Sequence, residues 1–157
     1  MKKVSLTVNQ RPVQVVAHGK DTVLLDLVRD ELGLTGAKQS CDRKGQCGTC
    51  MVLVDGKAVL SCTQKVEALE GAEVTTIEGL ASDSALHPMQ EAFRDNHGLQ
   101  CGFCTPGMVM SAVDLVKNNP DPSEHEVRDW LEGNLCRCTG YHNIVKSVVA
   151  GAKAMRG

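Results

Sequence analysis

Aromatic residues make up only 3% of this 157-residue sequence, as Trp130, Tyr141, Phe93 and Phe103. Any core must therefore be built from Val, Leu, Ile and Met. No charge of one sign dominates: the formal net charge is -2, which gives no reason to expect nucleic-acid binding, since that needs a concentrated basic face. No stretch approaches the roughly 20 apolar residues that cross a bilayer. "MKKVSLTVNQRP" turns polar before the apolar region of a signal peptide could form. A cytoplasmic location is the expectation, with export as a folded complex on a partner's signal the alternative. The sequence also lacks a Walker loop, a G-x-G-x-x-G fingerprint, and any Ser-His-Asp or paired-carboxylate arrangement. Nucleotide binding and acid–base catalysis thus find no support, and the expected catalytic residues are none.

What remains divides near the middle. "VSLTV" (4–8) alternates apolar and polar as a half-buried strand does, and "PVQVVA" (12–17) can return beside it after a turn at Asn9-Gln10-Arg11. Leu24, Leu25, Val28 and Leu32 then form a helical stripe, with Asp21 or Thr22 to cap its start and Gly33 to end it. "MVLVDGKAVLSC" reads as a hairpin turning at Asp55-Gly56, and "EVTTI" (73–77) as a last strand. "EGLASDSALHP" (78–88) reads as a linker, and beyond it strand signals stop. Helices are expected over 88–96, 105–118, 123–132 and 142–155, with Pro88 and Pro106 in first turns and Ser123/Glu126 as a capping box. The fold class is therefore α+β: a small mixed sheet with one helix, then a compact bundle of about four helices. The domains fall at 1–78 and 79–157.

Eight cysteines sort by the same division. Cys41, Cys47, Cys50 and Cys62 lie in the first half; Cys101, Cys104, Cys136 and Cys138 lie in the second. Structural disulfides are rare in the cytosol, so the set points to metal or redox chemistry. Structural zinc favours paired C-x2-C knuckles. The first half instead shows C-x5-C-x2-C followed by C-x11-C, one residue longer than the plant-type [2Fe-2S] spacing C-x4-C-x2-C…C. Gly45 and Gly48 would let backbone N–H groups turn toward cluster sulfides. In the second half, Cys101-x2-Cys104 and Cys136-x-Cys138 each precede an expected helix, whose N-terminus favours negative charge. The spacing favours iron–sulfur, with zinc the alternative and disulfides behind both.

"QCGFCTPGM" (100–108) and "GNLCRCTGY" (133–141), behind a ferredoxin-like cysteine set, closely resemble the iron–sulfur subunit of the molybdenum hydroxylases. That family includes xanthine dehydrogenase, aldehyde oxidoreductase, carbon monoxide dehydrogenase and 4-hydroxybenzoyl-CoA reductase. The resemblance covers nearly the whole chain. It implies an N-terminal β-grasp ferredoxin-like domain with a [2Fe-2S] cluster on Cys41, Cys47, Cys50 and Cys62. A C-terminal four-helix-bundle domain would hold a second on Cys101, Cys104, Cys136 and Cys138. Gln100 and Cys138 match positions that approach the molybdopterin of a large partner subunit. An FAD-binding medium subunit and a dimer of heterotrimers are implied as well. The chain would relay electrons between molybdopterin and FAD or another acceptor, in either direction. A free-standing ferredoxin and a zinc-binding module are the competing readings. The resemblance leaves the substrate open, with a lean toward aromatic or heteroaromatic compounds. The five residues "DRKGQ" between Cys41 and Cys47 depart from the family's usual four, and a bulged loop that keeps all four ligands is the expectation.

Other residues carry blander expectations. Arg137 could offset cluster charge or simply be solvated, and the charged tip Asp42-Arg43-Lys44 is expected to be solvated. The five histidines are unnecessary as ligands. Met108 and Met110 are expected to pack near the second site, and Tyr141 and Trp130 to fill the helical core.

Overall fold

The computed structural model describes residues 1–19 and 21–157. Strands β1 (Lys2–Val8) and β2 (Arg11–Ala17) form an antiparallel ribbon. Its turn is two residues, Asn9 and Gln10, both at positive φ (49° and 67°), so Arg11 is already the first strand residue and pairs with Val8. β3 (Met51–Val54) and β4 (Lys57–Leu60) form the hairpin expected at Asp55-Gly56, where both residues take the left-handed conformation that a tight hairpin needs. β5 (Glu73–Thr75) runs parallel to β1 and antiparallel to β3, giving the sheet order β2-β1-β5-β3-β4.

Helix α1 (Leu24–Asp26) continues as a π-helical stretch over Leu27–Glu31, and Gly33 at φ 68° follows its end. Neither Asp21 nor Thr22 is its cap. Val23 holds that position in extended conformation with no side-chain cap, because it also bridges to Lys65. Leu24, Leu25, Leu27 and Val28 bury against Val4, Leu6, Val15 and Val74 of the sheet to make the first core.

The second half is helical. α2 (Pro88–Asp95), α3 (Thr105–Asn118), α4 (Glu124–Trp130) and α5 (His142–Arg156) surround a second core of Met89, Phe93, Met108, Met110, Val113, Ile144 and Val148. The Ser123/Glu126 capping box opens α4 as expected. His87 caps α2: its Nδ1 accepts from the Met89 N–H at 3.1 Å while Gln90 Oε1 accepts from the His87 N–H at 3.0 Å. Trp130 corrects its expectation. It is 42% exposed, and its indole Nε1 donates to the Ser111 carbonyl at 2.9 Å instead of filling the core.

The two cores share one sheet. Successive side chains of a strand point to opposite faces, so on β3 Val52 joins the first core and Leu53 the second. Helix α3 lies against β3, and Asp114 Oδ2 accepts from the Ala58 N–H of β4 at 3.0 Å. These contacts bring the two cysteine-bearing regions side by side.

Candidate metal centres

The first group of thiols is assembled by a loop and a short turn. Cys41, Cys47 and Cys50 lie on the segment between α1 and β3, and Cys62 sits in the 3-10 turn Ser61–Thr63 that follows β4. The β3–β4 hairpin therefore returns the chain from Cys50 to Cys62, and Ser61 Oγ donates to the Cys50 carbonyl at 2.6 Å to lock that return. Within the group Cys47 lies beside Cys41 and Cys62 beside Cys50.

The five-residue loop between Cys41 and Cys47 turns at two left-handed residues. Arg43 adopts φ 60° and Gly45 φ 70°. Left-handed residues set between right-handed ones turn successive amides to one side, forming an anion-binding concavity. The backbone N–H groups of Gln46, Lys44 and Cys47 lie beside Cys41, and that of Gly45 beside Cys62. Hydrogen bonds to the charged form favour it, and the Gln46 amide leads in pulling the Cys41 thiol down to about 6. Burial, with the hydrogen bond to Cys50 behind it, pushes Cys62 up to about 11.

Gly48 is seated against the second half of the chain. Gly48 takes φ 76° because the second half approaches it. A Cβ there would stand 2.6 Å from both Asn134 Nδ2 and the Gly133 carbonyl oxygen. Its own oxygen accepts from Asn134 Nδ2 at 3.3 Å, and Ser111 Oγ holds the other end of that amide at 2.9 Å.

The second group lies at the N-terminal ends of α3 and α5. Cys104 is the N-cap of α3, and Cys136 and Cys138 precede α5. Here too the thiols pair: Cys138 Sγ donates to Cys101 Sγ at 3.5 Å, and the Cys104 S–H donates to Cys136. Burial, then the Cys136 side chain, pushes Cys104 up to about 12. Burial alone would raise Cys136 as well, but hydrogen bonds from Thr139, Cys138 and Cys104 together hold it below the ordinary thiol value. The hydrogen bond with Cys101 raises Cys138.

Several partners of these thiols have no signature in the sequence. Thr49 Oγ1 lies 3.1 Å from Cys47 Sγ, and Thr139 Oγ1 lies 3.1 Å from Cys136 Sγ. Tyr141, at φ 71°, accepts from the Cys136 N–H on its phenol oxygen at 2.9 Å, and its own N–H donates to Thr139 Oγ1 at 3.1 Å. Tyr141 thus grips the Cys136 loop at two points, a role beyond the core filling expected of it.

The two groups meet at one strand of backbone. The Leu135 N–H donates to the Cys47 carbonyl at 2.9 Å. A 420 Å³ cavity beside this bond is lined by thiols of both groups, among them Cys47, Cys104 and Cys136. Toward solvent, the second group presents Cys101, Cys138 and the neighbouring Gln100 on an exposed edge, together with Leu99, Phe103 and Leu135, which are 39%, 43% and 53% exposed. Arg137 is exposed as well.

The donor set is that of a soft metal. Four thiols standing in two pairs fit a two-iron, two-sulfide cluster, in which each iron takes two of the four cysteines. Amides aimed at sulfur fit the negative charge of such a group.

Comparison with known proteins agrees with this chemistry. Residues 6–81 match the family described as the 2Fe-2S iron-sulfur cluster binding domain, and residues 76–149 the family described as the [2Fe-2S] binding domain. The nicotine 6-hydroxylase small subunit of Paenarthrobacter nicotinovorans is 46% identical over 94% of this chain and 87% of its own length. The aldehyde oxidoreductase of Megalodesulfovibrio gigas is 46% identical over 87% of this chain, which spans only 15% of that longer protein. Among solved structures, quinoline 2-oxidoreductase from Pseudomonas putida 86 superposes with a TM-score of 0.90 at 41% identity, covering 99% of this chain and 96% of that one.

Proposed function

The chain belongs to the iron–sulfur subunits of the molybdenum hydroxylase family, and on that premise we propose that its two thiol groups hold two [2Fe-2S] clusters serving as one electron relay. Cys41, Cys47, Cys50 and Cys62 hold the first, in a β-grasp ferredoxin-like domain over residues 1–78. Cys101, Cys104, Cys136 and Cys138 hold the second, in a helical domain over residues 79–157. Once bound, such clusters supply one-electron transfer at potentials set by hydrogen bonding, charge and exposure.

The chain's own residues do the positioning. The Lys44–Cys47 amides and Thr139 place hydrogen-bond donors beside the sulfurs, the two cores keep water from Cys50 and Cys104, and Asn134 and Leu135 fasten one group to the other. The observation that carries the reading is the Leu135–Cys47 hydrogen bond. A carrier with one cluster would need only the first thiol group, whereas here a second group is joined to it directly and reaches an exposed edge.

That edge favours a partner. Gln100 and Cys138 stand where the molybdopterin of a large subunit would approach, and exposed Leu99, Phe103 and Leu135 offer apolar area for its docking. The first group would face the FAD of a medium subunit or another acceptor, in a dimer of heterotrimers. Two relatives that this chain matches over most of their length are named for nicotine and quinoline. A nitrogen heteroaromatic is therefore the proposed substrate class of the assembled complex, and its proposed location is the cytoplasm. No helix of the described residues is long and apolar enough to cross a membrane.

The test is co-expression with a large molybdopterin-binding subunit and a medium FAD-binding subunit, followed by anaerobic addition of nitrogen heteroaromatics to the purified complex. Substrate-driven appearance of two [2Fe-2S] EPR signals supports the relay. A chain that purifies alone, with one signal that no such compound reduces, supports the free-standing ferredoxin instead.

A further inference from the structure

The lengthened Cys41–Cys47 loop is held in shape from outside. Arg43 carries a long side chain in the left-handed conformation, which non-glycine residues adopt only at a cost. Its guanidinium is anchored on Asp26 of α1 by two contacts, Nη2 to Oδ1 at 2.7 Å and Nη1 to Oδ2 at 2.9 Å. Paired guanidinium–carboxylate contacts of this kind fix orientation as well as distance. Arg43 Nε also donates to Gln39 Oε1 at 3.1 Å, and Gln39 Nε2 to the Cys41 carbonyl at 3.4 Å. The clasp therefore runs from α1 through Arg43 and Gln39 to the cysteine that opens the loop. Its anchor is firm, because Asp26 stands between Leu25 and Leu27, both 1% exposed in the first core.

The pair itself is wet, with the Arg43 and Asp26 side chains 41% and 28% exposed. Ion pairs so placed contribute little to stability. What the clasp controls is the direction of the backbone that follows it, through left-handed Arg43 and Gly45 to Cys47, a stretch whose amides lie beside the Cys41 and Cys62 thiols. Hydrogen bonds to cluster sulfurs stabilise the more negative, reduced state and so raise the potential.

We infer that Arg43 is a positioning residue: clasped to Asp26, it fixes the turn that aims the Lys44–Cys47 amides and thereby sets the reduction potential of the first cluster alone. The inference rests on the reading that Cys41, Cys47, Cys50 and Cys62 hold that cluster.

The test is a redox titration followed by EPR on the assembled complex carrying Asp26→Asn, a substitution outside the cysteine loop. The first-cluster potential should fall and its line shape broaden as the amides lose their aim, while the second signal stays in place as the internal standard. Bare loss of a negative charge would raise the potential, so an upward shift overturns the inference, as does no shift. The swap D26R/R43D restores the pair with charges exchanged, and Asp tolerates the left-handed conformation. It should return the signal toward its original potential; a potential that stays where Asp26→Asn left it means that the pair does not set the turn, and also overturns the inference. Absence of any first-cluster signal in the parent complex would instead overturn the ligand reading beneath it.

Discussion

The backbone N–H of Leu135 donates to the carbonyl of Cys47 at 2.9 Å, so one hydrogen bond and one intervening residue separate Cys47 of the first thiol group from Cys136 of the second. Asn134 braces the joint by donating to the next carbonyl, that of Gly48. The two halves are thus fastened at the cysteines themselves.

Removing that N–H should slow electron equilibration between the sites. Asn134 already has φ -111° and ψ 110°, a conformation open to a residue before proline. Leu135→Pro should therefore keep both EPR signals while lengthening the equilibration time after flash reduction, and Leu135→Ala, which keeps the N–H, should not. Equal rates in both variants would show that coupling runs elsewhere.

Gly48→Ala attacks the same joint by crowding. It places a Cβ 2.6 Å from Asn134 Nδ2 and the Gly133 carbonyl in a left-handed residue. Strain and overpacking together should cost roughly 2–5 kcal/mol, read from urea unfolding. A loss under about 0.5 kcal/mol, typical of a free surface site, would mean that the halves are not closely seated here.

Tyr141→Phe deletes the acceptor of the Cys136 N–H and leaves the ring. The second EPR signal should shift and the first should not, because both hydrogen bonds of Tyr141 run to the Cys136–Thr139 loop. A shift in the first signal alone would reverse the assignment of the two sites.

The α2 cap should make stability depend on pH. Burial, with the Lys117 charge behind it, lowers the His87 pKa below 6.5, and its Nδ1 must stay unprotonated to accept from Met89. A folded-state pKa below the unfolded one means that the unfolded chain binds the proton more readily. The stabilisation is therefore present above about pH 6.5 and lost as pH falls through the folded value. Urea midpoints should drop between about pH 7.5 and pH 5.5, and His87→Asn, a non-titrating cap, should flatten the drop. An equal slope in both proteins would remove His87 from the account.

Much of this was legible in residue order. The β3–β4 hairpin followed from Asp55-Gly56, and α4 from Ser123 and Glu126. These are local signals, carried by residues close in sequence. The Leu135–Cys47 bond, the seating of Gly48 against Asn134 and the Arg43–Asp26 clasp were not legible, because each joins segments that only the folded sheet and bundle bring together. Backbone donors leave no mark on side-chain identity. Tyr141 and Trp130 misled for a related reason: each has an apolar body, but a polar end found a backbone partner, at Cys136 and at Ser111.

The central claim is that two thiol groups on this chain hold two [2Fe-2S] clusters. Cys136→Ser in the assembled complex, with iron and acid-labile sulfide measured beside EPR of the dithionite-reduced protein, tests it most directly. The parent should contain about four iron atoms and about four sulfides per chain and show two signals; the variant should lose one signal and keep the other. Zinc without sulfide in the parent, or loss of both signals in the variant, would contradict the account.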